Sequence, residues 1–217
     1  MDYALRDFLM FTPEVYLRLF IRFNEALWPW PLVFPVALAA LAGLLSLPQG
    51  RARRLGLSLL AVGWVLTALL FLQRYYQPIH WGMTYAVWGF LGQAVLLALL
   101  AWRVTPNRIP LGVGLLGAVA VMGLSTASAL SAGTPEAMGW PGLTPDATVL
   151  LTVMALLAVP WKPRCVLLVV PVLWLLTSAL TQWALELRAT LLPPVVGLGV
   201  ALLGLWPGSR RRSRRRP

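Results

Sequence analysis

Residues 83–102 read MTYAVWGFLGQAVLLALLAW, with Gly82 before them and Arg103 after. Twenty residues pass without a charge, and the only amide among them is Gln93. At 1.5 Å per residue, about 20 apolar residues cross a hydrocarbon core of about 30 Å. A helix on the surface of a soluble protein would show a polar face over that length, and none is visible here. The stretch therefore reads as a membrane span.

Six more stretches of the same kind follow from this one. Taken in order, the seven are Trp28–Leu47, Leu55–Leu72, Met83–Trp102, Leu111–Ala132, Pro145–Trp161, Cys165–Leu185 and Thr190–Trp206. Pro35 and Pro171 fall inside spans and predict kinks there. Lys162, Pro163 and Arg164 between the fifth and sixth predict a tight turn. The composition agrees: hydrophobic residues make up 59% and charged residues 12% of 217. Soluble domains run near 45–50% and 25%. A chain this long buries only roughly 70% of its surface, so these polar residues are too few to cover the remainder. A soluble enzyme, a disulfide scaffold and a disordered chain are excluded.

Before the first span, Thr12-Pro13-Glu14 reads as a helix start, with a cap, a proline and an acid at the positive end of the dipole. Glu14, Arg18, Arg22 and Glu25 recur on one side; Val15, Leu19, Phe23 and Leu27 fall on another, with Tyr16 and Phe20 beside them. That pattern predicts an amphipathic helix lying in the membrane interface. The fold expected is all-α. An external amphipathic segment occupies 1–27, a seven-helix transmembrane domain 28–207, and a disordered Arg-rich tail 208–217.

The charge is +11, from 18 bases and 7 acids, and Lys162 is the only lysine. Thirteen bases fall in one set of connections plus the tail, and five in the other. The positive-inside rule then puts the C-terminus in the cytoplasm and the N-terminus outside. The six Arg of the tail read as a topology anchor on anionic lipid. Nucleic acid is not read as a partner. The lipid bilayer is, with another membrane subunit as a candidate.

One histidine, His80, and one cysteine, Cys165, do not build a closed zinc site, and no cofactor is read. A retinal protein is excluded, because the last span has no lysine. Gln93 reads as an interhelical hydrogen bond or a pocket contact. Gly123, Ala127 and Ser131 read as a small-residue packing face, and Ser125, Thr126, Ser128 and Ser131 as hydroxyls for packing or a solute path. The external connections gather Arg74, Tyr76, His80, Trp81, Glu136, Trp140, Asp146, Gln182, Trp183 and Glu186 into a polar, aromatic mouth. His80 with Asp146 or Glu186 is an acid–base or half-metal candidate, set against an interface histidine in an aromatic belt.

Several blocks in order resemble a bacterial multi-pass integral membrane family known only as a domain of unknown function. They are Asp7-Phe8-Leu9 with Phe11 to Tyr16, Asn24 to Pro29, Pro78 to Trp81 with Gly89 to Gln93, Gly142 to Thr148, and Val170 to Trp174 with Leu180 to Leu185. The family carries Asn where His80 stands and a second proline where Ala147 stands, so it implies no fixed role for His80. The resemblance implies the membrane fold, in a bacterial inner membrane, and brings no activity. The function expected is non-catalytic: a structural or accessory subunit that packs on lipid or a partner. A carrier or binding protein for a small neutral or apolar solute is the alternative, and a membrane enzyme using His80 the third.

Overall fold

The structure, a computed structural model, describes residues 11–206. The Arg-rich tail and the blocks before Phe11 lie outside the described residues. All regular structure within them is helical. Four helices are long and apolar enough to cross a membrane, or five if one bent pair counts as a single span. Two shorter apolar helices accompany them.

Helix α1 spans Pro13–Leu27, with Thr12 as its N-cap and Pro13 in its first turn. The Thr12 hydroxyl beside Glu14 holds that carboxyl below its usual range. The inward face is Tyr16, Leu19 and Phe23, whereas Val15 is exposed, so the buried stripe sits one residue further round than the sequence pattern suggests. Asn24 fastens α1 down: its amide donates to the carbonyls of Glu136 and Met138 at 2.7 and 2.9 Å.

The first expected span is divided. A 3-10 turn over Trp30–Val33 precedes α2, Phe34–Ser46. Pro35 therefore lies in the first turn of α2, where its missing N–H leaves nothing unpaired, and it makes no mid-helix kink. The second helix is longer than expected. Helix α3, Gly50–Leu66, continues without a break over Thr67–Tyr76 with i→i−5 hydrogen bonding. Its first turn takes in Arg51, Arg53 and Arg54. Arg53 reaches the carbonyls of Leu47, Pro48 and Pro106, so this base caps the helix connection. Helices α4, Met83–Arg103, and α5, Leu111–Ser131, follow the expected spans closely.

Helix α6 is short, Pro145–Leu156, and is followed by α7, Trp161–Leu167, α8, Val169–Ala184, and α9, Leu192–Leu205. The turn before α7 runs through residues 157–160, so Lys162, Pro163 and Arg164 stand in the first turn of a helix and form no hairpin. Between α7 and α8 the axis bends by 42°. Pro171 explains the bend: it lacks the N–H that would bond Leu167 O, and its ring crowds that carbonyl.

Helix α6 sits at the centre. Successive contacts α5–α2–α3–α4–α8–α9–α5 close a ring of six helices, and α6 packs inside it against α3, α5, α8 and α9. Nine α6 residues are buried, including Thr148 and Thr152. A helix packed on most of its sides shows no polar stripe, and one largely enclosed by its own chain need not match the bilayer thickness. Gly142, at φ +87°, turns the loop before α6 into the bundle, where its backbone touches Gly63 of α3.

The two ends of the bundle differ in charge. Arg51, Arg53, Arg54, Arg103, Arg108, Lys162 and Arg164 gather at one end, where Arg54 reaches Thr105, Arg108 reaches Ser46 O, and Asn107 N–H donates to Ala158 O. All five described acids, Glu14, Glu25, Glu136, Asp146 and Glu186, belong to the other end.

Candidate functional site

Trp174, Ser178 and Gln182 are four apart, so they form one stripe of α8, and all three are buried. The stripe meets Asp146 in the first turn of α6. Trp174 Nε1–H donates to Asp146 Oδ1 at 2.7 Å. The Ser178 hydroxyl and Gln182 Nε2 donate to Oδ2 at 2.8 and 2.9 Å. Gln182 Nε2 also lies 2.9 Å from Ser178 Oγ. Asp146 forms no ion pair among the described residues. The Asp146 carboxyl faces these dipoles and the N-terminal end of α6.

A second indole reaches α6 from α3. Trp64 of α3, fully buried, donates from Nε1 to Thr152 Oγ1 at 2.8 Å. Thr67 and Thr148 stand 3.0 Å apart one turn along, and Thr148 Oγ accepts from Gly142 N–H. Phe90 of α4 lies between the two indoles, with ring centroids 4.4 Å from Trp64 and 5.1 Å from Trp174. Two helices of the ring, α3 and α8, are thereby keyed to the central one, and Phe90 of α4 joins their indoles.

Above Asp146, α1 lays Tyr16 over the site. Burial pushes the Tyr16 phenol above its usual pKa, so it stays protonated. A cavity of about 50 Å³ separates α1 from α6, lined by Tyr16, Ser125, Ser128, Thr144, Asp146 and Gln182 among others. Thr144 is the α6 N-cap, but its hydroxyl makes no capping bond and donates instead to Trp140 O at 3.1 Å.

The predicted mouth is only partly assembled. Asp146 and Gln182 meet, whereas Arg74, Trp81 and Trp183 are exposed. The Arg188 guanidinium lies over the Trp183 ring at 6.0 Å. His80 packs edge-on against Phe11 and Tyr76 at 5.9 and 6.4 Å, and Tyr76 leads on to Tyr16. The hydrogen bonds to Asp146 all come from α8, so His80 is not its acid–base partner. Glu186 occupies the left-handed backbone region at φ +59°. Trp174 and Ser178 were not read from the sequence as site residues; their spacing of four ahead of Gln182 is the available signal.

Gln93 is buried away from this site. Its Nε2 donates to Leu167 O at 2.9 Å, the carbonyl that Pro171 leaves without a helical partner. The amide therefore closes the bend between α7 and α8. The Gly123, Ala127 and Ser131 face of α5 is exposed, and α5 packs inward through Ala118, Val121, Ser125 and Ala129. A Cβ at Gly123 would meet nothing within 4 Å among the described residues, so the small-residue face expected to pack is turned outward.

No family model, curated protein or solved structure matches the chain.

Proposed function

We propose that this is a non-catalytic, multi-pass membrane protein of the bacterial inner membrane that holds anionic lipid at its basic end. In this reading α2, α3, α4, α5, α6, α7 with α8, and α9 make seven crossings. The bases place their end in the cytoplasm, and α1 lies in the outer interface.

One observation carries the lipid reading. A groove of about 430 Å³ opens between α2, α5 and α6. Its walls are apolar, with Leu38, Leu41, Leu45, Val113 and Met154, and its lining includes Asn107 and Arg108. Arg108 commits only Nε, to Ser46 O, leaving its terminal nitrogens without a hydrogen bond among the described residues. The volume falls within the about 300–1,000 Å³ of ordinary ligand sites. An apolar slot beneath a guanidinium, at an end holding seven bases, suits an acyl chain under an anionic headgroup.

Protein purified in mild detergent is expected to retain anionic phospholipid in preference to zwitterionic. Arg108→Gln is expected to lower that retention about fivefold, roughly 1 kcal/mol at one lost base. Equal retention of both lipid classes by the native protein rejects the reading. The orientation has its own test. Reporter fusions after Arg54 and after Arg108 are expected to report cytoplasm, and either one reporting outside overturns it.

A further inference from the structure

We propose that the cavity beside Asp146 binds one small monovalent cation, held by the Asp146 carboxylate, the Gln182 side-chain oxygen and the hydroxyls of Ser125 and Ser128. The proposal is independent of the lipid reading, since it concerns the opposite end of the bundle.

The first observation is the carboxyl group. Asp146 is the one acid on the central helix, and its three donors fill three of about four acceptor positions on a carboxylate. One position remains, and no base is paired to it among the described residues. An ionisable group enclosed in a membrane bundle is costly unless its charge is met.

The second observation is independent of the acid. Gln182 is 2% exposed, and its Oε1 has no hydrogen-bond partner. Flipping the amide does not cure this, because Oε1 would then face the carboxylate and the Ser178 oxygen. The network therefore fixes Nε2 toward Asp146 and leaves Oε1 for something else. Gln182 lines the cavity, as do Ser125 and Ser128, whose hydroxyls have no hydrogen bond among the described residues.

Charge and size then limit the ligand. A site of one carboxylate, an amide oxygen and hydroxyls is a hard oxygen set, which suits a hard cation. One negative charge matches one positive charge. At roughly 10–15 Å³ per water-sized position, about 50 Å³ admits an ion with a few waters, or ammonium, and excludes a quaternary amine. Tyr16 and Phe20 of α1 line the same cavity, so a bound ion would sit under that helix.

The test is the thermal midpoint of the full-length protein in detergent at constant ionic strength. Choline chloride is replaced stepwise by sodium, potassium or ammonium chloride. At least one small cation is expected to raise Tm by about 3 °C or more, rising with the logarithm of its concentration above half-saturation. The pattern across the three salts identifies the ion. Asp146→Asn is expected to abolish the shift. Ser125→Val, which leaves every bond to Asp146 in place, is expected to raise the half-saturating concentration about fivefold or more; it also keeps the test open should Asp146→Asn fail to fold. Three results overturn the proposal: indifference of the native protein to all three cations, an undiminished shift in Asp146→Asn, or unchanged half-saturation in Ser125→Val. A Tm that responds to pH alone falls under the first and assigns the neutralising role to a proton.

Discussion

Trp64→Ala is expected to destabilise the protein by about 3 kcal/mol, read as the shift in a denaturant titration of the detergent-solubilised chain followed by circular dichroism. The indole is fully buried, donates to Thr152 of α6, and contacts Phe90, which in turn contacts Trp174. In water, removing a buried Trp forfeits both transfer energy and packing. In a bilayer or micelle the unfolded helix is still surrounded by hydrocarbon, so most of the transfer component disappears. What remains is the void inside a ring of helices that collapses poorly around α6, together with the lost hydrogen bond. The figure therefore sits at the lower end of the about 3–5 kcal/mol seen for such truncations. Trp64→Phe separates the two parts. It fills most of the volume and loses only the bond, and Thr152 keeps its own donation to Thr148 O at 2.8 Å. About 1 kcal/mol is expected there. An equal loss in both variants would show that the hydrogen bond, and not packing, holds α3 to α6.

The long outer helices were legible because nothing competes with lipid for their apolar residues. Met83–Arg103 and Leu111–Ser131 follow from hydropathy almost to the residue. The elements misjudged are those governed by neighbours in the fold. Helix α6 ends at Leu156, earlier than expected, because a helix enclosed by six others answers to their packing and not to the bilayer. Gly50–Tyr76 runs past both expected ends because arginine stems extend the first turn and the wider i→i−5 bonding carries the chain on to Tyr76. Pro35 and Pro171 look alike in sequence, yet one stands in a first turn and the other at a bend. The difference lies in whether a carbonyl four residues earlier is stranded, and only Leu167 is, with Gln93 to receive it.

The candidate site shows the same division. Asp146 and Gln182 were visible as rare polar residues, but their pairing needed the register of α6 against α8. Ser178 was hidden among residues that pass for ordinary helix packing, and Trp174 among aromatics that usually mark an interface. His80 forms no hydrogen bond with Asp146, for a related reason. Both residues belong to one end of the bundle, but Phe11 and Tyr76 fill the space beside His80 while α8 fills the space beside Asp146.

Gly63→Leu is expected to destabilise the protein by about 3 kcal/mol, against a neutral or slightly favourable Gly92→Ala. Both glycines lie inside helices, where replacing glycine normally gains up to about 1 kcal/mol from backbone entropy. The surroundings reverse the sign at one of them. A Cβ at Gly63 would stand 3.1 Å from the Gly142 Cα, whereas at Gly92 it meets nothing within 4 Å. The atom met at Gly63 is backbone, so no rotamer relieves it. The loop cannot easily withdraw either, because Gly142 N–H donates to Thr148 at 2.7 Å and its φ of +87° suits glycine. Overpacking here would push the loop off α3, loosen the Thr67–Thr148 contact, and displace the start of α6, where Asp146 stands. The same titration measures it, with Gly92→Ala as the reference. Equal stabilities for the two variants would mean that the loop does not enter the bundle at Gly63, and that α6 begins in a different environment from the one that creates the Asp146 site.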